Sequence, residues 1–145
     1  EAPEERESLG RSIAQIDDEI DRLVAAGIPA NRIAVGGFSM GGCLALHMAY
    51  GTSRYAGQLA GCVSLSCFLQ EDSALDQAAA ERFKASGAAP APPLYMAHGT
   101  MDRMINPAWA EATRKRLLEA GVAAPPELQM FPIGHELHPQ EVEQL

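Results

Sequence analysis

The chain has 145 residues, a hydrophobic fraction of 47% and a formal net charge of −8. That length suits one domain with a substantial core, and the acidic balance argues against nucleic acid or an anionic membrane surface as the main partner. No apolar run reaches the roughly 18 residues of a membrane span, so stable membrane insertion is not expected.

The opening stretch Glu1-Ala2-Pro3-Glu4-Glu5-Arg6-Glu7 is charged, does not read as a signal peptide and lacks an initiator methionine. It raises the expectation that the chain is a piece of something longer. Ile13, Ile16, Ile20, Leu23 and Val24 then recur at helical spacing, with Asp17, Asp18, Asp21 and Arg22 between them. The pattern predicts an amphipathic helix with an Asp18–Arg22 pair on its wet face, a cap at Gly27 and a stop at Pro29. Residues 32–38 lack polar alternation and predict a strand buried on both faces.

Gly41 to Tyr50 reads as a helix and Ala60 to Leu69 as a second strand with its exit. Ser73 to Ser86 is an alanine-rich helical segment, followed by a Gly/Ala/Pro loop. Pro93 to His98 is a third strand; Pro107 to Ala120 is a helix opened by proline and stopped at Gly121. Glu127 to Pro132 is a fourth strand, and Gln140 to Leu145 opens a last helix. Strands alternating with helices predict a parallel α/β sheet in one domain, 1–145.

The chemistry concentrates after the strands. Gly37-Phe38-Ser39-Met40-Gly41 matches G-x-S-x-G between a predicted strand and a predicted helix, the context of a nucleophile elbow. Glycines flanking Ser39 clear side chains from a tight turn, and Gly36 and Gly42 suit close strand–helix packing. The Met40 backbone N–H points at the helix start, where a developing oxyanion is stabilised. The spacing fits neither G-x-G-x-x-G nor a phosphate loop.

A serine nucleophile needs a histidine base and a carboxylate to orient it, in the chain order Ser, Asp or Glu, His. Asp102 follows the third strand and His135 the fourth, on the same sheet edge as Ser39. His138 is the rival base. Asp72 and Asp76 read as solvated surface, Glu136 as surface or support, His47 as packing or surface, and His98 as shaping the turn that presents Asp102. Met40, Met101, Met104 and Trp109 are candidates either for an acyl pocket or for the core. Cys43, Cys62 and Cys67 form no C-x-x-C and read as free, buried thiols in a reducing compartment. No His/Cys/carboxylate grouping suggests a metal site.

GGFSMGGCLALHMAY, LAGCVSLSCFL, HGTMDRMI, PAWAEATRKRLLEAGV and FPIGHEL together resemble the acyl-protein thioesterase and lysophospholipase-like family of serine hydrolases, over roughly residues 12–145. The resemblance implies the three-layer α/β-hydrolase fold. It implies Ser39 as nucleophile, Asp102 as acid and His135 as base, with a cytosolic, cofactor-free enzyme. Its substrates would be acylated proteins or small esters; the alternatives are a short-chain carboxylesterase or a lysophospholipase. Members of the family begin with further strands and an L-H-G-x-G-type loop that supplies a second oxyanion donor. Residues 1–38 carry no such motif. The expectation from another class is therefore a truncated, non-catalytic binding module.

Overall fold

The computed structural model describes residues 5–122 and 128–144. Within them, four parallel strands lie side by side in chain order: β1 (Ala34–Phe38), β2 (Gly61–Leu65), β3 (Leu94–Gly99) and β4 (Gln129–Phe131). Helices alternate with them: α1 (Arg6–Ala25), α2 (Met40–Tyr50), α3 (Leu75–Phe83), α4 (Pro107–Glu119) and α5 (Pro139–Glu143), with a single 3-10 turn over Ala30–Arg32. Because every strand runs the same way, all four release their chains at one edge of the sheet.

The register sorts the strand residues onto two faces. Val35, Cys62, Leu94 and Met96 point to the face covered by α2, α3 and α4, where Leu46, Tyr50, Leu75 and Leu117 are fully buried. Phe38, Val63, Leu65, Tyr95, Ala97 and Phe131 point to the other face, beside which α5 docks through a Gln144–Tyr95 hydrogen bond of 2.8 Å. The layers are helices, sheet and one short helix.

β1 departs from expectation. Ala34 and Gly36 are exposed, so the strand is covered on one face rather than two. It is an edge strand, and among the described residues no helix lies over that end of its second face. A run of small apolar residues reads the same in either setting.

α1 is longer than the periodicity predicts, and its polar positions are not all wet. Asp17 is buried on the same stripe as Ile13 and Ile20. Its carboxylate accepts the Ser53 hydroxyl at 2.5 Å and the Arg54 N–H at 3.4 Å, tying α1 to the segment that leaves α2. The expected Asp18–Arg22 pair does not form. Arg22 binds Glu19 instead, and Asp18 reaches Arg54, which offers a partner from across the fold. Asp76 is likewise not solvated surface: it forms a two-pronged pair with Arg116, both contacts at 2.8 Å, joining α3 to α4.

The remaining elements match with shifted ends. β2 stops at Leu65, α3 is shorter than its segment, and Glu127 and Leu145 fall outside the described residues. Replacing Asp17 by Ala strands the Ser53 hydroxyl and the Arg54 N–H. Asp17→Ala is expected to lower unfolding free energy by about 1–3 kcal/mol, measured by urea denaturation. A loss below the error of that measurement would show the tie to be unimportant.

Candidate active site

Ser39 follows β1 and caps α2 with φ 58° and ψ −123°, a backbone conformation that residues other than glycine rarely adopt. Its N–H donates to Leu65 O at 2.8 Å, pinning the turn to the end of β2. The turn is so tight that a Cβ on Gly37 would lie 2.2 Å from the Gly41 carbonyl. The crowding is one-sided, since a Cβ on Gly41 would meet nothing within 4 Å. Gly36 differs from expectation as well: its neighbour is Val63 on the adjacent strand, not a helix. A Cβ on Gly42, by contrast, would press on Gly37 O, Leu65 O and Cys67.

Asp102 follows β3 and is the buried residue of an otherwise exposed turn. Its Oδ1 accepts the N–H groups of Met104 at 2.9 Å and Ile105 at 2.8 Å, and its Oδ2 lies 2.8 Å from His135 Nδ1. Fully buried His98 completes the turn: its Nε2 donates to Ile105 O at 2.8 Å and stands 3.4 Å from Asp102 Oδ2. Burial pushes the Asp102 carboxyl upward, but the Ile105, His135 and Met104 donors together outweigh it and hold the group below the usual carboxylate range.

The His135 loop is fastened to the Asp102 loop through its backbone. Thr100 N–H donates to Phe131 O at 2.8 Å, and Met101 N–H to Ile133 O at 3.0 Å. Gly99 permits this approach, because a Cβ there would lie 2.3 Å from Ile133 O. The imidazole rests against Phe38, ring centroids 4.8 Å apart. With Nδ1–H donating to the carboxylate, Nε2 carries the lone pair, and it lies 2.9 Å from Ser39 Oγ. The structure thus brings Ser39, His135 and Asp102 into one hydrogen-bonded chain.

The rivals lie elsewhere. His138 caps α5 by accepting Gln140 N–H and stacks on Phe131. Glu136 is exposed. His47 is buried in α2. The Met40 N–H opens α2 beside Ser39, while the Met40 side chain is 87% exposed. Met101, Met104 and Trp109 are exposed as well, so none of the four belongs to the core. Of them, Met40 borders a cavity of 300 Å³ that opens beside Ser39. None of the three cysteines is in a disulfide. Burial pushes the Cys67 thiol up to about 12, whereas half-buried Cys43 lines the cavity and donates to Phe68 O at 3.2 Å. The sequence reading missed the Met104 and Ile105 donors. An aspartate followed by residues with free N–H groups is the signature of an Asx-type turn, and Asp102-Arg103-Met104-Ile105 carries it.

A parallel sheet with a strand–serine–helix elbow, and with Asp and His after the next strands but one and two, defines an α/β-hydrolase fold. The comparisons agree. A family profile for phospholipase/carboxylesterase proteins matches residues 1–145. The chain belongs to the phospholipase/carboxylesterase family. Lysophospholipase-like protein 1 of Mus musculus is 35% identical over 146 residues, covering 100% of this chain and 57% of that protein. Acyl-protein thioesterase 1 homolog 2 of Dictyostelium discoideum is 29% identical over 137 residues, covering 94% of this chain and 57% of that protein. The crystal structure of Arabidopsis thaliana SOBER1 matches with a TM-score of 0.79 at 25% identity, over 99% of this chain and 63% of that one. The chain spans 57% of the length of both sequence relatives. Among the described residues, no helix is long and apolar enough to cross a membrane.

Two tests follow from this geometry. Gly37→Ala is expected to cost about 2 kcal/mol or more, because the colliding atoms are backbone. Gly41→Ala, with open space around it, is expected to change stability by less than about 1 kcal/mol; equal losses in chemical denaturation would refute the one-sided account of the elbow. The folded chain holds the Asp102 proton more weakly than the unfolded chain does. Its stabilisation is therefore complete above the unfolded value of about 4 and lost as pH falls through the lower folded value. Asp102→Asn should flatten that acid limb of the melting-temperature profile, and an unchanged limb would contradict the assignment.

Proposed function

We propose that this chain is a serine hydrolase that cleaves acyl thioesters or esters through an acyl-enzyme intermediate. The observation that carries the reading is the continuous chain Ser39 Oγ, His135 Nε2, His135 Nδ1, Asp102 Oδ2, with links of 2.9 and 2.8 Å. Ser39 attacks the acyl carbonyl as His135 Nε2 takes the hydroxyl proton. The Met40 N–H and the start of α2 stabilise the oxyanion. His135 returns the proton to the departing thiol or alcohol, and water then clears the acyl group by the same base. Asp102 keeps Nδ1 protonated and favours the imidazolium that forms at each transfer.

The substrate class follows from the family: an acylated protein or a small ester, with carboxylesterase and lysophospholipase substrates as the alternatives. The reading requires no cofactor and no metal, and it places the enzyme in the cytosol.

A fluorophosphonate probe is expected to label Ser39, and Ser39→Ala to abolish the labelling while leaving the circular-dichroism spectrum unchanged. Asp102→Asn is expected to reduce p-nitrophenyl ester turnover by about 10⁴-fold. Labelling that persists in Ser39→Ala would remove Ser39 as nucleophile. A folded protein that neither labels nor turns over ester would favour a non-catalytic binding module.

A further inference from the structure

The six methionines divide sharply by exposure. Met48 and Met96 are 1% exposed and belong to the core, whereas Met40, at 87%, is the most open of the six. Met101, Met104 and Met130 are exposed too, but none of these three borders the cavity beside Ser39. Met40 does, and a peptide bond joins it to Ser39. One thioether therefore combines open access from solvent with a place at the serine. The other sulfurs on the cavity wall are those of Cys43 and Cys67. An oxidant attacks a thiol through its thiolate. Cys67 is buried with its thiol pushed up to about 12, and the half-buried Cys43 thiol is engaged with Phe68 O at 3.2 Å. A thioether has no proton to lose first, so Met40 is the open target.

We propose that Met40 is a site of reversible oxidation, at which a hydroperoxide converts the thioether to the sulfoxide and thereby slows acyl transfer at Ser39. The effect on activity rests on the hydrolase reading above. The sulfur lone pair attacks the peroxide: an S–O bond forms, the O–O bond breaks, and the hydroxyl proton passes to the departing oxygen, which leaves as water or an alcohol. Sulfur is oxidised by two electrons and the peroxide is reduced by two. The product replaces a flexible apolar side chain by a polar one whose oxygen is the negative end of a strong dipole. That oxygen belongs to the residue after the nucleophile, on the cavity where attack builds negative charge on the carbonyl oxygen. Repulsion between the two raises the barrier of the chemical step more than it weakens substrate binding. The exposure that admits the oxidant also admits a methionine sulfoxide reductase. There two thiols supply the electrons, and the oxygen leaves as water.

The test is hydrogen peroxide treatment of the protein and of Met40→Leu, which keeps the backbone N–H and an apolar side chain. Turnover of p-nitrophenyl acetate is read as a fraction of each protein's own untreated value, and peptide mass spectrometry places the added oxygen. In the unsubstituted protein, oxygen gain at Met40 is expected to run in step with a fall in kcat of about tenfold, short of the roughly hundredfold cost of deleting an oxyanion donor. Dithiothreitol alone is expected to leave that loss in place, and methionine sulfoxide reductases A and B with dithiothreitol to reverse it. Met40→Leu is expected to keep most of its turnover through the same treatment. An equal fractional loss in Met40→Leu overturns the proposal. So does full recovery with dithiothreitol alone, which would place the sensitive sulfur at a cysteine. A Met40 that takes up no oxygen, or takes it up fully with turnover unchanged, also overturns it, and all of these results leave the hydrolase reading intact. A protein that turns over no ester before peroxide is added overturns the hydrolase reading and the effect at Met40 with it.

Discussion

Asp102 places a carboxylate where water does not reach, and the loops at the edge of the sheet are arranged around that fact. A buried charge is tolerated only if its lone pairs are met by donors. Here three donors meet it: the Met104 and Ile105 N–H groups of its own turn, and the His135 ring that follows β4. Satisfying the charge thus fixes the imidazole, and fixing the imidazole aims Nε2 at Ser39. His98 joins the same turn from beneath by holding the Ile105 carbonyl.

Steric contact sets the other half of the geometry. Two segments meet backbone to backbone, Gly37 against Gly41 and Gly99 against the Ile133–Gly134 chain. Neither Gly37 nor Gly99 has room for a methyl group, so the positions of Ser39 and His135 are set by main-chain contact rather than by adaptable side chains. The strained φ of Ser39 persists because its N–H is held by Leu65 O and the helix begins at once behind it.

The parts of this arrangement that repeat a local pattern were legible in the sequence. Ser39 stood between an apolar run and a helix, and Asp102 and His135 each followed a strand, so the parallel sheet and the convergence of the three residues could be read together. What escaped depended on partners distant in sequence. Asp17 looked like one more wet-face acid until Ser53 and Arg54 met it. Asp76 looked solvated until Arg116 reached across from α4. β1 looked doubly buried because alanine, valine and glycine do not distinguish an edge strand from a central one. The first turns of α1 carry Ser8, Leu9 and Ser12, a pattern with too little apolar periodicity to announce a helix, and those residues line the cavity.

The order of the sheet carries a kinetic consequence. Each strand pairs with the next one in the chain, so the sheet can grow outward from β1 through local closures of modest entropic cost. The Ser39–His135 contact, in contrast, closes a span of 96 residues. His135 follows β4, the last strand among the described residues, so it reaches Ser39 only once that strand has paired. A chain whose sheet has stopped at β3 already holds the Ser39 turn and Asp102 but not His135. The Ser39–His135 hydrogen bond is therefore a late contact, made only after all four strands have come together.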